Sequence, residues 1–388
     1  MINITQIMMA LIKSAMDTNE DFSFSELSEE SAKMLYKLSK SHDLTHLLTS
    51  PIEKHKVITN ASYLSAFQKQ TFMAVYRYEG IQYELDSLCG VLEAAQIPFI
   101  PLKGSILRAY YPEPWMRTSC DIDIFVEEKN LDSAIAVLKD KLQYTEHERC
   151  AHDVSLFSAN GVHIELHYEL IEDKRVNGAS NILSNVWDYA KPVYGHCYQY
   201  KMSDEMFYFY HIAHMAKHFE IGGCGVRPFL DLWVLNHRVE YDSAKRDLLL
   251  EQGNLLIFAN ASKRLSEVWF GDEAHSEITL DMENYLIDAG VYGNSTNRVA
   301  VAYVKKGGKF KYLLSRIWLP YNRLKYVYPT LENKRMLTLF YQLKRWCNFF
   351  SKKKRRKLSR EMKLASNQSS ATVLQTEKLF SDLGIKIK

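Results

Sequence analysis

The hydrophobic pattern changes period three times along the chain. From Thr71 to Ala95, apolar residues fall at Val75, Tyr78, Ile81, Leu85, Leu88, Val91 and Leu92. That is the three-and-four spacing of a helix, with Gly90 as its one weak point. Residues 1–95 therefore read as an N-terminal helical region. The period then shortens. Ile97-Pro98-Phe99-Ile100-Pro101-Leu102 is short, apolar and proline-flanked and stops at Lys103-Gly104, which predicts a short strand. Ser105 to Tyr111 opens a helix. Asp121 to Val126 alternates and then runs apolar, predicting a second strand, and Leu131 to Leu142 has helical spacing. Val154 to Phe157 and Val162 to His167 flank Ser158-Ala159-Asn160-Gly161, a hairpin signal. Beyond residue 200 the pattern is helical again, most clearly over Glu205–Glu220, Pro228–Val239 and Leu248–Phe270. Gly307-Gly308 marks a break, and Ser366 to Ala371 reads as a polar loop.

Four regions follow: 1–95 helical, 96–200 mixed, 201–304 helical, and 305–388 basic and mostly helical. The fold class is α+β, a small mixed sheet with helices embedded in a largely helical body. Composition narrows this little. The chain has 388 residues, 47% hydrophobic and 24% charged, enough for substantial cores and too ordered a composition for global disorder. No apolar run reaches the roughly 18 residues of a bilayer span. Met1 to Ala10 lacks a basic n-region, so no signal peptide is expected. Six cysteines without a C-x-x-C pair predict reduced thiols and a cytoplasmic protein.

Charge changes the picture more. The net charge of +3 comes from 49 Lys+Arg and 46 Asp+Glu. Residues 305–388 carry 22 Lys+Arg and 4 Asp+Glu, a balance of +18, which leaves −15 for residues 1–304. An acidic body with a basic end meets nucleic acid, an anionic membrane surface, or itself. The run Lys352 to Lys357 concentrates that charge. Trp346, Phe349 and Phe350 beside Lys344 and Arg345 fit a peripheral membrane contact or RNA equally.

The candidate chemistry lies between residues 99 and 170. Asp121 and Asp123 sit two apart on a strand, so both carboxylates leave one face, separated by roughly 7 Å of rise. Paired carboxylates suit Mg²⁺ or Mn²⁺, and two such ions hold the oxygens of an in-line phosphoryl displacement. D-x-D alone is common on solvated strand ends. A strand, a Gly-Ser turn, a helix, a D-x-D strand and an acid on a later hairpin strand is more specific. Glu165 supplies that acid, on the face it shares with His163 and His167.

These residues resemble the nucleotidyltransferase superfamily of the polymerase-beta type. More narrowly, Pro101-Leu102-Lys103-Gly104, Tyr111-Pro112, Arg117, Asp121-Ile122-Asp123-Ile124 and Glu165 to Leu170 resemble the uncharacterised nucleotidyltransferase family. Its members are often bacterial, in gene clusters for polysaccharides or modified peptides. The pattern His214-x-x-Lys217-His218, Arg227 and Asp231-Leu232 fits as well. The resemblance implies a minimal nucleotidyltransferase core that moves a nucleoside monophosphate from an NTP, ATP among them, to an acceptor with loss of pyrophosphate. Asp121, Asp123 and Glu165 would be the catalytic metal ligands. Lys103, Gly104, Ser105 and Arg117 would bind the nucleotide. The long interval from Ser105 to Asp121 implies an extended helix after the turn.

His167, His214 and Lys217 are candidate substrate contacts. A zinc site on the shared face of His211, His214 and His218 lacks a placed fourth partner. Arg227 and Asp231, four apart, read as an ion pair at a helix start. The acceptor stays open among small molecule, saccharide, peptide and RNA. Two other readings use the same residues: a non-catalytic protein holding RNA or a membrane surface, and a toxin-like enzyme modifying tRNA. A place on the inner face of the membrane follows from the basic end alone.

Overall fold

Two apolar faces decide the architecture seen in the computed structural model, which describes residues 3–17, 24–171, 178–291, most of 293–348 and 370–385. The first is the back of a five-stranded sheet. Its strands are β1 (Phe99–Pro101), β2 (Asp121–Val126), β3 (Thr145–Arg149), β4 (Asp153–Phe157) and β5 (His163–His167), in the order β1-β2-β5-β4-β3. β2 and β5 run parallel and the other neighbours antiparallel. Ile122, Ile124, Val126, Val154, Leu156, Ile164 and Leu166 point to the back and are fully buried. They pack on Leu85, Leu88 and Leu92 of α4 (Ala61–Ala94) and on Ile135 and Leu138 of α6 (Leu131–Leu142). Alternation on the strands and helical spacing on α4 and α6 thus meet in one core.

The second apolar face belongs to the helical body. It joins α1 (Ile4–Met16), α2 (Glu29–Ser41) and α3 (Thr49–Lys54) to α8 (Asp204–Phe219), α9 (Arg227–Arg238), α10 (Ser243–Gln252), α11 (Leu256–Phe270) and α12 (Glu277–Ile287). Ile100, Leu102, Leu107 and Phe125 belong to the same core, so the front of the sheet leans on the body. α7 (Ala179–Leu183) and a two-stranded ribbon, β6 (Ala190–Pro192) with β7 (Tyr200–Met202), close the mixed region. The N-terminal helices and the helices after residue 200 therefore share one core, with the mixed region inserted between them in sequence.

Several expectations change in detail. The helix after the Gly-Ser turn is not extended. α5 is only Gly104–Leu107, and the interval to β2 is filled by single 3₁₀ turns at Arg108–Tyr110 and Pro114–Met116. Pro112 and Pro114 stop a longer helix. The segment Leu248–Phe270 is two helices, broken where Asn254 takes φ 54° and where Gly253 lies against the Phe209 ring. α13 (Ser295–Lys306) ends at Gly307 in the left-handed region, as the glycine pair predicts. After α14 (Thr338–Asn348) comes α15 (Ser370–Asp382), so Ser370 and Ala371 are helical. Residues 366–369, the aromatics Phe349 and Phe350, and the run Lys352–Lys357 lie outside the described residues. α15 returns to the body, where Phe380 is fully buried against Phe219 and Tyr285.

Candidate active site

The parallel register of β2 and β5 builds the site. It sets Asp121 beside His163, Asp123 beside Glu165 and Phe125 beside His167. Two strands with a period of two thus offer a polar face of Asp121, Asp123, His163, Glu165 and His167. Two groups of donors form on it. Asp121, His163 and Glu165 each present a ligand atom within 4.8 Å of the others, and so do Asp123, Glu165 and His167. Glu165 is common to both.

The protein's own cations partly balance these acids. Lys103 Nζ lies 2.6 Å from Asp123 Oδ1. His167 Nε2 lies 2.9 Å from the same oxygen and 3.3 Å from Glu165 Oε2. Burial raises the cost of ionising Asp123, but Lys103 and His167 overcome it and hold the carboxyl well below its ordinary range. His167 also lowers Glu165. Asp121 behaves oppositely: burial and the neighbouring Asp123 charge push it up. For His167, burial works against the cation, yet the two carboxylates raise it.

Backbone geometry explains how Lys103 comes there. Leu102 N–H donates to the Asp123 carbonyl at 3.0 Å, continuing the β1–β2 ladder by one residue. Lys103 then turns at φ 45°, ψ −116°, a conformation that costs a non-glycine residue roughly 1–3 kcal/mol. Gly104 follows because a Cβ there would lie 3.2 Å from Ser119 Cβ. The glycine lets segment 117–119 pass close by, in front of α5. Ser105 lines a cavity of about 610 Å³ with Gln82, Asp86, Glu93, His196 and Gln199.

Arg117 is placed by a different need. Its Nε and Nη2 donate to Asp231 Oδ1 and Oδ2 at 2.6 and 2.9 Å, and its Nη1 donates to the Thr118 carbonyl. Tyr111 Oη donates to Asp231 Oδ1 at 2.8 Å. All are buried. The guanidinium is spent on joining the sheet's approach segment to α9, which leaves no open fork for a phosphate in this arrangement. The expected Arg227–Asp231 pair is not made. Arg227 instead reaches Asp43 Oδ2 and the Thr118 carbonyl, each at 3.2 Å, while Asp231, 114 residues downstream of Arg117, takes that arginine.

α8 covers the polar face. Tyr210 is buried, and the charges of Lys103, Asp123, Glu165 and Asp121 all act on its hydroxyl; burial pushes that hydroxyl up. Burial, then the Lys103 charge, drives His214 well below its ordinary pKa, so it is a neutral imidazole beside the site. Its ring nitrogen meets His218 at 3.2 Å, and Lys217 lies on the same turn. His211 instead bonds the Pro228 carbonyl at 2.9 Å, so the three histidines do not converge. The sequence put His163 on the acid face without marking it as a candidate ligand, and did not mark Tyr210 at all. His163 shares the Glu165 face by strand alternation, and Tyr210 lies four residues before His214 on one helix face. Both spacings were there to use.

The donor set fits a divalent cation: carboxylates from two adjacent strands, in two groups sharing one acid, with imidazole nitrogens at the edges. Neither a curated protein nor a solved structure matches the chain. The family described as "uncharacterised nucleotidyltransferase" matches residues 28–271, more than half of the chain and all of the sheet and its cover. By that match, and by the acids paired across β2 and β5, the chain belongs to the uncharacterised nucleotidyltransferase family.

Proposed function

We propose that the protein transfers a nucleoside monophosphate from an NTP to an acceptor and releases pyrophosphate, using Mg²⁺ or Mn²⁺. The observation that carries this reading is the Asp123–Glu165 pairing on parallel strands, with Asp121 one alternation away on the same face. Asp121, Asp123 and Glu165 would hold the cations, with His163 and His167 within reach. Divalent cations held by these residues would supply charge neutralisation for the phosphates and polarise the transferred phosphoryl group.

The chain's residues supply the rest. Lys103 keeps Asp123 ionised and offers a fixed positive charge to a phosphate. His167 orients Asp123 and Glu165 together, since one Nε2 touches both. Tyr210, buried and un-ionised, lowers the polarity beside the face, and the half-buried His214 imidazole, neutral beside the Lys103 charge, stands next to it. The cavity beside Ser105 is of ligand size and adjoins the Lys103 turn.

The test is incubation of the purified chain with each NTP labelled at the α-phosphate, divalent cation and a cell extract. Label should move to one acceptor class, with pyrophosphate as co-product, and Asp121→Asn should lower transfer at least about 100-fold. Absence of transfer from every NTP, or transfer by the variant at the wild-type rate, would overturn the reading.

A further inference from the structure

α14 is built inside out. Its Gln342 is fully buried and donates to the Leu319 carbonyl, while Leu339, Phe340 and Leu343 are 58%, 60% and 49% exposed. Met336 and Leu337, in the turn before it, are 97% and 42% exposed. Positions 336, 340 and 343 follow the spacing of one helix face, so these side chains form a continuous apolar ridge. A solvent-facing helix normally turns such a stripe to the core and its polar residues outward. Here the polar residue is inside and the apolar ridge is in water.

Charge decides what covers the ridge. Lys334, Arg335 and Lys344 are exposed beside it. The segment that contains it, 305–388, carries 22 Lys+Arg against 4 Asp+Glu, and residues 1–304 balance at −15. The exposed Lys334, Arg335 and Lys344 give the surroundings of the ridge a positive charge that suits an anionic surface. A second copy of the chain would bring like charges together around the ridge. RNA wants open aromatic planes, but four of the five ridge side chains are aliphatic. The neighbouring rings are engaged: Tyr328 with Tyr341, Trp318 with Trp346, and Lys344 over both tyrosines.

We propose that the ridge of Met336, Leu337, Leu339, Phe340 and Leu343 inserts into the headgroup boundary of an anionic lipid bilayer, holding the protein at a membrane surface. No helix among the described residues is long and apolar enough to cross a membrane, so the contact is peripheral. The ridge supplies the apolar burial and the flanking Lys and Arg supply attraction to lipid phosphate, two signals that act together. The proposal is independent of the nucleotidyl-transfer reading.

The experiment is co-sedimentation of the full chain with two vesicle types, phosphatidylcholine alone and two parts phosphatidylcholine to one part phosphatidylglycerol, over a range of salt. The protein should sediment with the anionic vesicles only, less so as salt rises. Phe340→Asp with Leu343→Asp should weaken that binding at least about tenfold at an unchanged melting temperature. Lys334→Glu with Lys344→Glu should weaken it similarly. If the aspartates lower the melting temperature, Phe340→Ala with Leu343→Ala makes the same comparison. The proposal is overturned by no sedimentation with anionic vesicles, by equal sedimentation with neutral ones, or by ridge variants that bind like wild type. It is equally overturned if the ridge variants abolish a solution dimer or binding to a single-stranded RNA oligomer while vesicle binding stays the same.

Discussion

The two aspartates of β2 look equivalent in the sequence, but their surroundings differ. Asp123 is held ionised by Lys103 and His167, whereas burial and its neighbour push Asp121 up. Both Asp121→Asn and Asp123→Asn should abolish nucleotide transfer. Their effects on the metal-free protein should be opposite. Asp121→Asn removes a repulsion and should leave thermal stability equal or higher. Asp123→Asn leaves the Lys103 ammonium facing a neutral amide and should cost about 1–3 kcal/mol. Denaturant melts of both variants check this, and equal shifts would mean that Lys103 does not stabilise the fold through Asp123. Glu165 differs from Glu169 in the same way. Glu165 stands beside Asp123, while Glu169 is exposed beyond the end of β5. Glu165→Gln should lower turnover far more than NTP affinity, and Glu169→Gln should change neither. Steady-state kinetics with titrated NTP separates the two. Alternation made Asp121 with Asp123, and Glu165 with His163 and His167, legible as polar faces, while bringing the two faces together took the parallel β2–β5 pairing. The left-handed turn at Lys103 was not legible, because nothing in a Leu-Lys-Gly sequence marks the lysine rather than the glycine as the residue with positive φ.

Elements with a one-sided apolar pattern could be read, and those without it could not. β1, β2, the β4–β5 hairpin and α6 all follow from period and turn chemistry. β3 carries Thr145-Glu-His-Glu-Arg149, is exposed along its whole length, and exists because β4 offers it an edge. Pairing of that kind is set by the neighbour rather than by local sequence. The link between the sheet and α9 was also hidden, since Arg117 and Asp231 meet across 114 residues. Removing one partner of a buried pair strands the other charge, so Asp231→Ala should cost about 3–5 kcal/mol. Its effect on pH dependence has a definite sign. Burial opposes ionisation of Asp231, but the Arg117 charge and hydrogen bonds bring its pKa below the ordinary value. A depressed carboxyl contributes stability that is complete above the unfolded pKa of about 3.9 and is lost as pH falls through the folded value. Acid melts should therefore show the wild type losing stability below about pH 4, and Asp231→Asn should lack that part of the loss. An identical acid slope in the variant would show that Asp231 titrates alike in both states.

At the scale of the whole molecule, the charge division at residue 305 suggests a basic tail separable from an acidic body, but the packing does not follow that division. α15 lies within the basic segment, and yet it supplies Leu379 and Phe380, and the residues after it Leu383 and Ile385, to the main core. Phe380 is fully buried, with ring centroids 5.5 Å from Phe219 and 5.8 Å from Tyr285. Lys378 reaches Glu277 of α12 at 2.6 Å, an exposed pair that adds little. The sequence concealed this because the apolar residues of this 13-residue helix do not keep to one face: Leu374 is exposed while Leu379 and Phe380 are buried, so the periodic signal is weak. Phe380→Ala should therefore cost about 3–5 kcal/mol, the range for emptying a large buried aromatic site. A chain ending at residue 369 should lose more, because it exposes the apolar surface of α12 and α13 as well. Calorimetry of full-length, Phe380→Ala and truncated chains tests this directly. Because Phe219 stands at the C-terminal end of α8, and α8 also carries Tyr210 and His214 over the acid face, the same variants should loosen the cover of the site. That would appear as faster hydrogen exchange at α8 before global melting. A truncated chain that melts with the full-length protein and protects α8 equally would show that the basic end is a separate appendage after all.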